Sequence, residues 1–277
     1  MQLEESINFF YNLDPSQLKR DEVFDLFQLL RNKLNLGEIQ TVEFIDNKWK
    51  VNEWVKKGIL LGFRIGNVID VSINNQFRFF DKDILPLKAI TINDSIRQVP
   101  GGTSVRDGCY IGKNVVIMPP SYINIGSYID NETMIDSNAL VGSCAYIGKK
   151  VHISAGAQIG GVLEPIGMLP VIVEDEVIVG GNCGIFEGVI IKKGAVIASG
   201  VQLTSSTPVY DVVKKKIYKR NFSNPLTIPE NAVVVSGSRT ISGGWPEQFG
   251  LNIYTPIIIK YRDDKTNSST QLEESLR

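Results

Sequence analysis

Residues 105–159 read VRDGCYIGKNVVIMPPSYINIGSYIDNETMIDSNALVGSCAYIGKKVHISAGAQI, and one phase of that string decides the architecture. An aliphatic residue stands at every sixth position: Val105, Ile111, Ile117, Ile123, Ile129, Ile135, Val141, Ile147, Ile153 and Ile159. After an interruption the phase resumes as Val173, Val179, Ile185, Ile191, Ile197, Leu203 and Val209. Four residues after most of these comes a small side chain, as at Cys109, Ser121, Ser127, Thr133, Ala139, Ala145 and Ala157. A β-sandwich strand alternates with period two and does not hold one aliphatic phase through ten consecutive units. Period six suits a triangular coil, in which the branched residue fills the interior of a flat strand and the small one is expected where the chain turns a corner. Three hexads make a coil, so stacking at about 4.8 Å predicts a column of roughly five to six coils, about 25 Å tall, around a continuous aliphatic core.

The interruption lies between Ile159 and Val173 and reads Gly160-Gly161-Val162-Leu163-Glu164-Pro165-Ile166-Gly167-Met168-Leu169-Pro170 after Ile159. A loop must leave the column here, and solenoid insertions tend to carry the function of the face they protrude from, so loop 160–170 is a candidate ligand clamp. A second excursion, 211–227, contains Lys214, Lys215, Lys216 and Arg220 and is expected to form a short hairpin. The pattern then returns with Ile228, Ala232 and Val234.

Outside the column, residues 1–36 read as helical, with Ile7, Phe10 and Tyr11 on one face, Ser16 as an N-cap, and Val23, Phe24, Phe27, Leu30 and Leu34 at helical spacing up to Gly37. Residues 41–51 resemble a hairpin turning at Asp46-Asn47, and 53–62 a short helix bearing Trp54 and Leu60. Residues 253–261 read as a strand and 268–277 as a polar or helical tail. The expected division is an N-terminal α/β cap over 1–98, the column over 99–240, and a C-terminal strand and tail over 241–277.

The chain has 277 residues, with Lys+Arg 29 against Asp+Glu 30 and a net charge of -1. That balance lacks the basic field on which nucleic-acid binding depends, so DNA and RNA are excluded as expected partners. The start, Met1-Gln2-Leu3-Glu4-Glu5, is acidic where a signal peptide is basic, and no apolar run approaches membrane-spanning length; a soluble, cytoplasmic protein without a membrane partner is expected. Cys109, Cys144 and Cys183 are odd in number and lack CxxC spacing, so they read as small core residues rather than a disulfide framework or zinc site. His152 is the sole histidine, which excludes a three-histidine metal centre; it is either a general base or a corner imidazole.

Several stretches together resemble the tetrahydrodipicolinate N-succinyltransferase family of hexapeptide-repeat acyltransferases, from about residue 42 to the end. They are Trp54-Val55-Lys56-Lys57 with Leu60-Leu61-Gly62-Phe63-Arg64-Ile65, Arg97-Gln98-Val99-Pro100, Val105-Arg106, Met118-Pro119, Thr133-Met134-Ile135-Asp136, Val141-Gly142-Ser143-Cys144-Ala145, Gly160-Gly161-Val162-Leu163-Glu164-Pro165 and Val233-Val234-Val235-Ser236-Gly237. The resemblance implies a mainly β fold, a left-handed parallel β-helix with an N-terminal α/β cap domain and a short C-terminal extension. It implies succinyl transfer from succinyl-CoA, as co-substrate, to the amine of a ring-opened dicarboxylate acceptor, in a homotrimer with inter-subunit active sites and no metal. Arg97 and Asp136 match the family's acceptor-site residues. A guanidinium suits a carboxylate through two parallel hydrogen bonds, and Asp136 can accept a proton or orient the amine; Asp130, one hexad earlier, reads as a solvated turn carboxylate. Glu187 is the candidate second acid, although the family glutamate often lies three positions earlier, where this chain has Gly184. Gly160, Gly161 and Glu164 are the candidate acyl-CoA contacts, and Lys192, Lys193, Lys214, Lys215, Lys216 and Arg239 are cations available to its phosphates.

Hexad counting puts Asp136 and Glu187 on different faces of one column, two to three coils apart, or about 12 Å, so a shared site has to join two chains. N-acetyl transfer to the same acceptor, acyl transfer to a sugar nucleotide, and a non-catalytic trimeric scaffold are the competing readings.

Overall fold

The structure, a computed structural model, describes residues 2–221 and 224–262. The hexads form a three-sided, left-handed parallel β-helix whose strands are two residues long. The first face stacks Ser104–Val105, Tyr122–Ile123, Leu140–Val141, Gln158–Ile159, Gly184–Ile185 and Gln202–Leu203. The second stacks Tyr110–Ile111, Tyr128–Ile129, Tyr146–Ile147, Ile172–Val173, Ile190–Ile191 and Thr227–Ile228. The third begins one strand lower, at Arg97–Gln98, and runs through Val116–Ile117, Met134–Ile135, His152–Ile153, Ile178–Val179 and Val196–Ile197 to the start of Ala232–Thr240. Each rung lies parallel on the next with like residues in register, as in Ile129 on Ile147 and Ile135 on Ile153.

The second residue of each strand points inward and the first points out, as the period-two pleat requires. Ile117, Ile123, Ile129, Ile135, Ile147 and Ile153 are all fully buried in one cluster. The small residues are not at the corners as expected. Val115, Ala145, Val151 and Ala157 are buried in the same cluster, immediately before the next strand, and the corner is made by the two residues preceding each of them. The prism narrows beside each vertex, so the second interior side chain of most sides is small, Leu226 after the second excursion being larger. The corners take a left-handed residue: φ is 59° at Asn114, 60° at Asn138 and 57° at Asn182, a region that Asn tolerates better than most side chains.

The first interruption replaces a single corner, between the first face at Ile159 and the second at Ile172, so Ile185 falls on the same face as Val105. The second excursion leaves the same edge one rung above Glu187, between Gln202–Leu203 and Thr227–Ile228, and contains the expected hairpin, Val209–Asp211 against Lys216–Tyr218. The long strand Asn252–Tyr261 pairs antiparallel with Ala232–Thr240 and parallel with Val209–Asp211, continuing the third face. Residues 268–277 lie outside the described residues.

The cap holds three helices: α1 (Leu3–Tyr11), α2 (Arg20–Asn35) and α3 (Glu53–Ile65). Ile7, Val23, Phe27, Leu30 and Leu34 form its core with Val55, Ile59 and Leu61 of α3. Ser16 is not an N-cap. Asp14, a better acceptor, takes the hydrogen bond from the Ser16 backbone N–H at 2.9 Å and caps a 3-10 turn, while α2 begins after Lys19. The hairpin Val42–Ile45/Lys48–Val51 turns at Asp46 and Asn47, both left-handed at φ 54° and 60°. Among the described residues no helix is long and apolar enough to cross a membrane.

Two aromatic and polar seams bind cap to column. Tyr110, Tyr128 and Tyr146 stack up the second face at 4.5 and 5.2 Å, and Trp49 of the hairpin closes on Tyr146 at 4.6 Å while donating from Nε1 to Glu174 at 3.0 Å. On the adjoining edge, Thr41 Oγ1 donates to the carbonyl oxygen of Cys144 at 3.0 Å, and the Arg31 guanidinium pairs with Asp107 at 2.9 Å. Because Ile135 sits in the continuous core, Ile135→Ala is expected to destabilise the chain by about 2–5 kcal/mol and Lys113→Ala, at an exposed corner, by less than about 0.5. Chemical denaturation of both variants checks the difference.

Candidate active site

The three corner edges divide the predicted residues into two groups. Asp136 follows Ile135, so it stands on the edge between third and first faces, half-buried, with Oδ1 accepting from the Ser137 N–H at 2.7 Å. The floor beneath it is fixed: the Ser121 hydroxyl is within hydrogen-bond distance of the carbonyls of Met118, at 2.6 Å, and Asp136, at 2.9 Å. Arg97 is exposed on the same third face two rungs below, about 10 Å along the axis at strand spacing.

Asp130 is not solvated as expected. It is buried, and its Oδ1 accepts from the Asn131 N–H at 2.7 Å, because the tyrosine ladder crowds the second face beside it. His152 is not at a corner either. It lies within a strand of the third face, 9% exposed, between Met134 and Ile178.

Glu187 occupies the edge between first and second faces, where both insertions emerge. Its corner differs from those described above: Glu187 and Gly188 are both left-handed, at φ 55° and 72°. A glutamate in that region costs on the order of 1–2 kcal/mol, a cost the column also bears at Glu132 and Glu176, with φ of 61° and 58°. The exposed carboxylate accepts from Ser205 twice, from N–H at 3.0 Å and from Oγ at 2.6 Å. Gly167, Met168 and Leu169 of the loop form one wall and Arg220, Asn221 and Asn224 of the excursion the other, enclosing about 190 Å³ around Glu187 and Gly188.

Gly160 and Gly161 have a packing reason to be glycine. A Cβ on Gly161 would lie 2.2 Å from the Ser143 nitrogen, because the departing loop crosses directly over corner 142–145, where the Val162 N–H donates to Ser143 O at 3.1 Å. Glu164 is exposed beyond this crossing. Of the lysines that could meet phosphates, Lys192 pairs with Glu174 at 2.7 Å and Lys193 with Glu176 at 3.0 Å, both on a different edge from Glu187. Arg220, Asn221 and Asn224 were legible only as polar residues of an excursion, since nothing local says which edge they return to. Lys56 carried a clearer signal: a charged residue set between Val55 and Ile59 on the apolar side of a helix.

The thiols are inert by environment. Burial pushes Cys109 and Cys144 up to about 12, and burial raises Cys183 as well. Among the described residues no three His, Cys, Asp or Glu side chains gather as a metal site.

A three-sided column of stacked hexads with a loop leaving one edge is the framework of the hexapeptide-repeat, acyl-CoA-dependent N-acyltransferases. Residues 2–65 match the profile for the tetrahydrodipicolinate N-succinyltransferase N-terminal region, and residues 170–205 the hexapeptide repeat of succinyl-transferase. The 2,3,4,5-tetrahydropyridine-2,6-dicarboxylate N-succinyltransferase of Shewanella amazonensis is 41% identical over 96% of this chain and 93% of its own, and that of Shewanella loihica 44% over 88% and 85%. The chain belongs to this N-succinyltransferase family. A solved Campylobacter jejuni chain, provisionally assigned as a 2,3,4,5-tetrahydropyridine-2-carboxylate N-succinyltransferase, aligns with 91% of this chain and 64% of its own at 16% identity and TM-score 0.46.

Two outcomes are expected. Gly161→Ala lifts the loop from corner 142–145, so hydrogen exchange of 160–171 accelerates while the column strands keep their protection. Since the thiolate is the reactive form and burial disfavours it at all three cysteines, Ellman's reagent should label no thiol until the chain unfolds.

Proposed function

We propose that the chain transfers succinyl from succinyl-CoA to the amine of ring-opened tetrahydrodipicolinate, L-2-amino-6-oxopimelate, in clefts between the columns of a homotrimer. Family membership supports the reaction, a step of lysine and diaminopimelate biosynthesis. The observation that carries the shared cleft is the separation of the groups: Arg97 and Asp136 serve one edge, while Glu187, Arg220 and the clamp loop serve another, two coils higher. One column cannot close both groups on a small acceptor and a thioester; two neighbouring columns can. In this reading residues 1–98 form the cap except for Arg97–Gln98, which already supply the first rung of the third face, 99–240 form the column and 241–277 the extension, and the enzyme works in the cytoplasm.

Arg97 anchors an acceptor carboxylate and Asp136 takes the proton that the ammonium must lose before its nitrogen attacks the thioester carbonyl. Collapse of the tetrahedral intermediate forms the amide and breaks the carbon–sulfur bond, and the second proton lost by the nitrogen ends on the departing CoA sulfur. Glu187, Gly160, Gly161 and Glu164 border the acyl-CoA side, with Glu187 held by Ser205.

Arg97→Ala is expected to raise acceptor KM about tenfold or more while leaving the KM for succinyl-CoA unchanged, and Asp136→Asn to lower kcat about 10²–10⁴-fold. Steady-state kinetics with both thioesters provides the check. Equal or better use of acetyl-CoA overturns the succinyl assignment, and an unchanged acceptor KM in Arg97→Ala removes that residue from the acceptor site.

A further inference from the structure

The cap reaches the clamp loop through a side chain to which the reaction above gives no part. Lys56 on α3 is fully buried, and its Nζ donates to the carbonyl oxygen of Met168 at 2.6 Å. Burial lowers its pKa, with Cys144 and Glu53 acting in the opposite direction. Enclosing an ammonium in a helical core is unfavourable unless its hydrogen bonds compensate, and methionine would fill the same space without that penalty.

The partner of that charge is informative. Met168 lies near the tip of the loop and, with Gly167 and Leu169, forms the wall opposite Arg220 in the cleft that holds Glu187. The base of the loop is pinned independently, by the crossing of Gly161 over Ser143, and Leu163 packs against the cap core. Between base and tip the chain turns through Pro165, whose carbonyl oxygen accepts from the Met168 N–H at 3.0 Å. The tip also touches the Glu187 corner directly: a Cβ on Gly188 would lie 2.6 Å from Leu169 O. The width of the cleft therefore depends on where Met168 is held, and the cap holds it from behind.

We propose that Lys56 is a positioning residue for the acyl donor, fixing Gly167–Leu169 at the distance from Glu187 and Gly188 that admits the pantetheine arm of an acyl-CoA. This rests on the assignment of that cleft to the donor. Lys56 touches neither substrate; it acts through the Met168 carbonyl.

The experiment compares wild type with Lys56→Met, Lys56→Ala, Arg220→Ala and a control, Ile59→Val, which loosens the same helix without touching the loop. In Lys56→Met the KM for succinyl-CoA should rise about tenfold while acceptor KM and kcat change less than about twofold. Exchange of the 160–171 amides should accelerate in Lys56→Met and stay at the wild-type rate in Ile59→Val. Ethylammonium added to Lys56→Ala should restore most of the donor KM, since it returns the cation to the space the side chain vacates. A Lys56→Met enzyme with lowered Tm but wild-type donor KM and loop exchange overturns the proposal. If Arg220→Ala raises donor KM and Lys56→Met does not, the proposal fails alone. If neither moves it while wild type turns over succinyl-CoA, the donor lies elsewhere and the cleft assignment falls with it.

Discussion

Everything else in the molecule is hung on the vertical contact between each interior aliphatic side chain and its counterpart one coil below. Ile117, Ile135, Ile153, Val179 and Ile197 form one such file, each buried, and the other two faces repeat it. Burying one such side chain is worth about 1.5–3 kcal/mol, and the contact recurs at every rung. The same stacking satisfies the backbone, since each strand donates to the coil above, as Tyr128 N–H does to Ala145 O and Asp136 N–H to Ile153 O. A column built this way needs covers at its two ends and is indifferent to what leaves its corners. Ile90 and Ile96 pack on the core ahead of the first coils, and Tyr218, Ile258 and Tyr261 close it near the other end.

That indifference explains how two insertions came to share one edge. Neither the loop after Ile159 nor the excursion after Leu203 disturbs the ladder, because Ile159 still lies under Ile185 and Ile185 under Leu203. The edge thereby acquires two walls around the Glu187 corner without any change in the core. Rigidity comes from below and behind: the loop crosses corner 142–145 too closely for a side chain at Gly161, and Lys56 grips its tip from the cap. The tyrosine ladder, ending on Trp49, packs the cap against the second face, so the Lys56 contact comes from a body joined to the column at a second place. An aromatic ladder is well suited to this, because stacked rings contribute both area and orientation.

The column was readable from the chain because its determinant is local and periodic: a residue every six positions is either aliphatic or it is not. The cap helices and the Asp46-Asn47 hairpin were readable for the same reason, their apolar spacing and turn residues being short-range signals. Expectations failed where a side chain's surroundings come from another coil. Asp130 reads as a solvated carboxylate and is buried beside tyrosines, one of them sixteen residues further on; the corner position read for His152 proves to lie inside a face; the cap read at Ser16 belongs to Asp14, a stronger acceptor two residues earlier. The small residue of each hexad was identified but misplaced, because period alone cannot tell an interior position beside a vertex from the vertex itself.

Taken by itself, then, the order of residues determined the prism, the phase of its core, the points at which two loops leave it and the family to which it belongs, since each is written in contiguous or regularly spaced side chains. Only the tertiary structure decided that both loops leave the same edge, that Arg97 and Asp136 stand on one part of the column while Glu187 and Arg220 stand on another, and that a cap lysine donates to the tip of the first loop. Those relations depend on how many corners an insertion replaces and on which face the chain resumes, and that count is settled by the stacking of coils rather than by any residue within the loop.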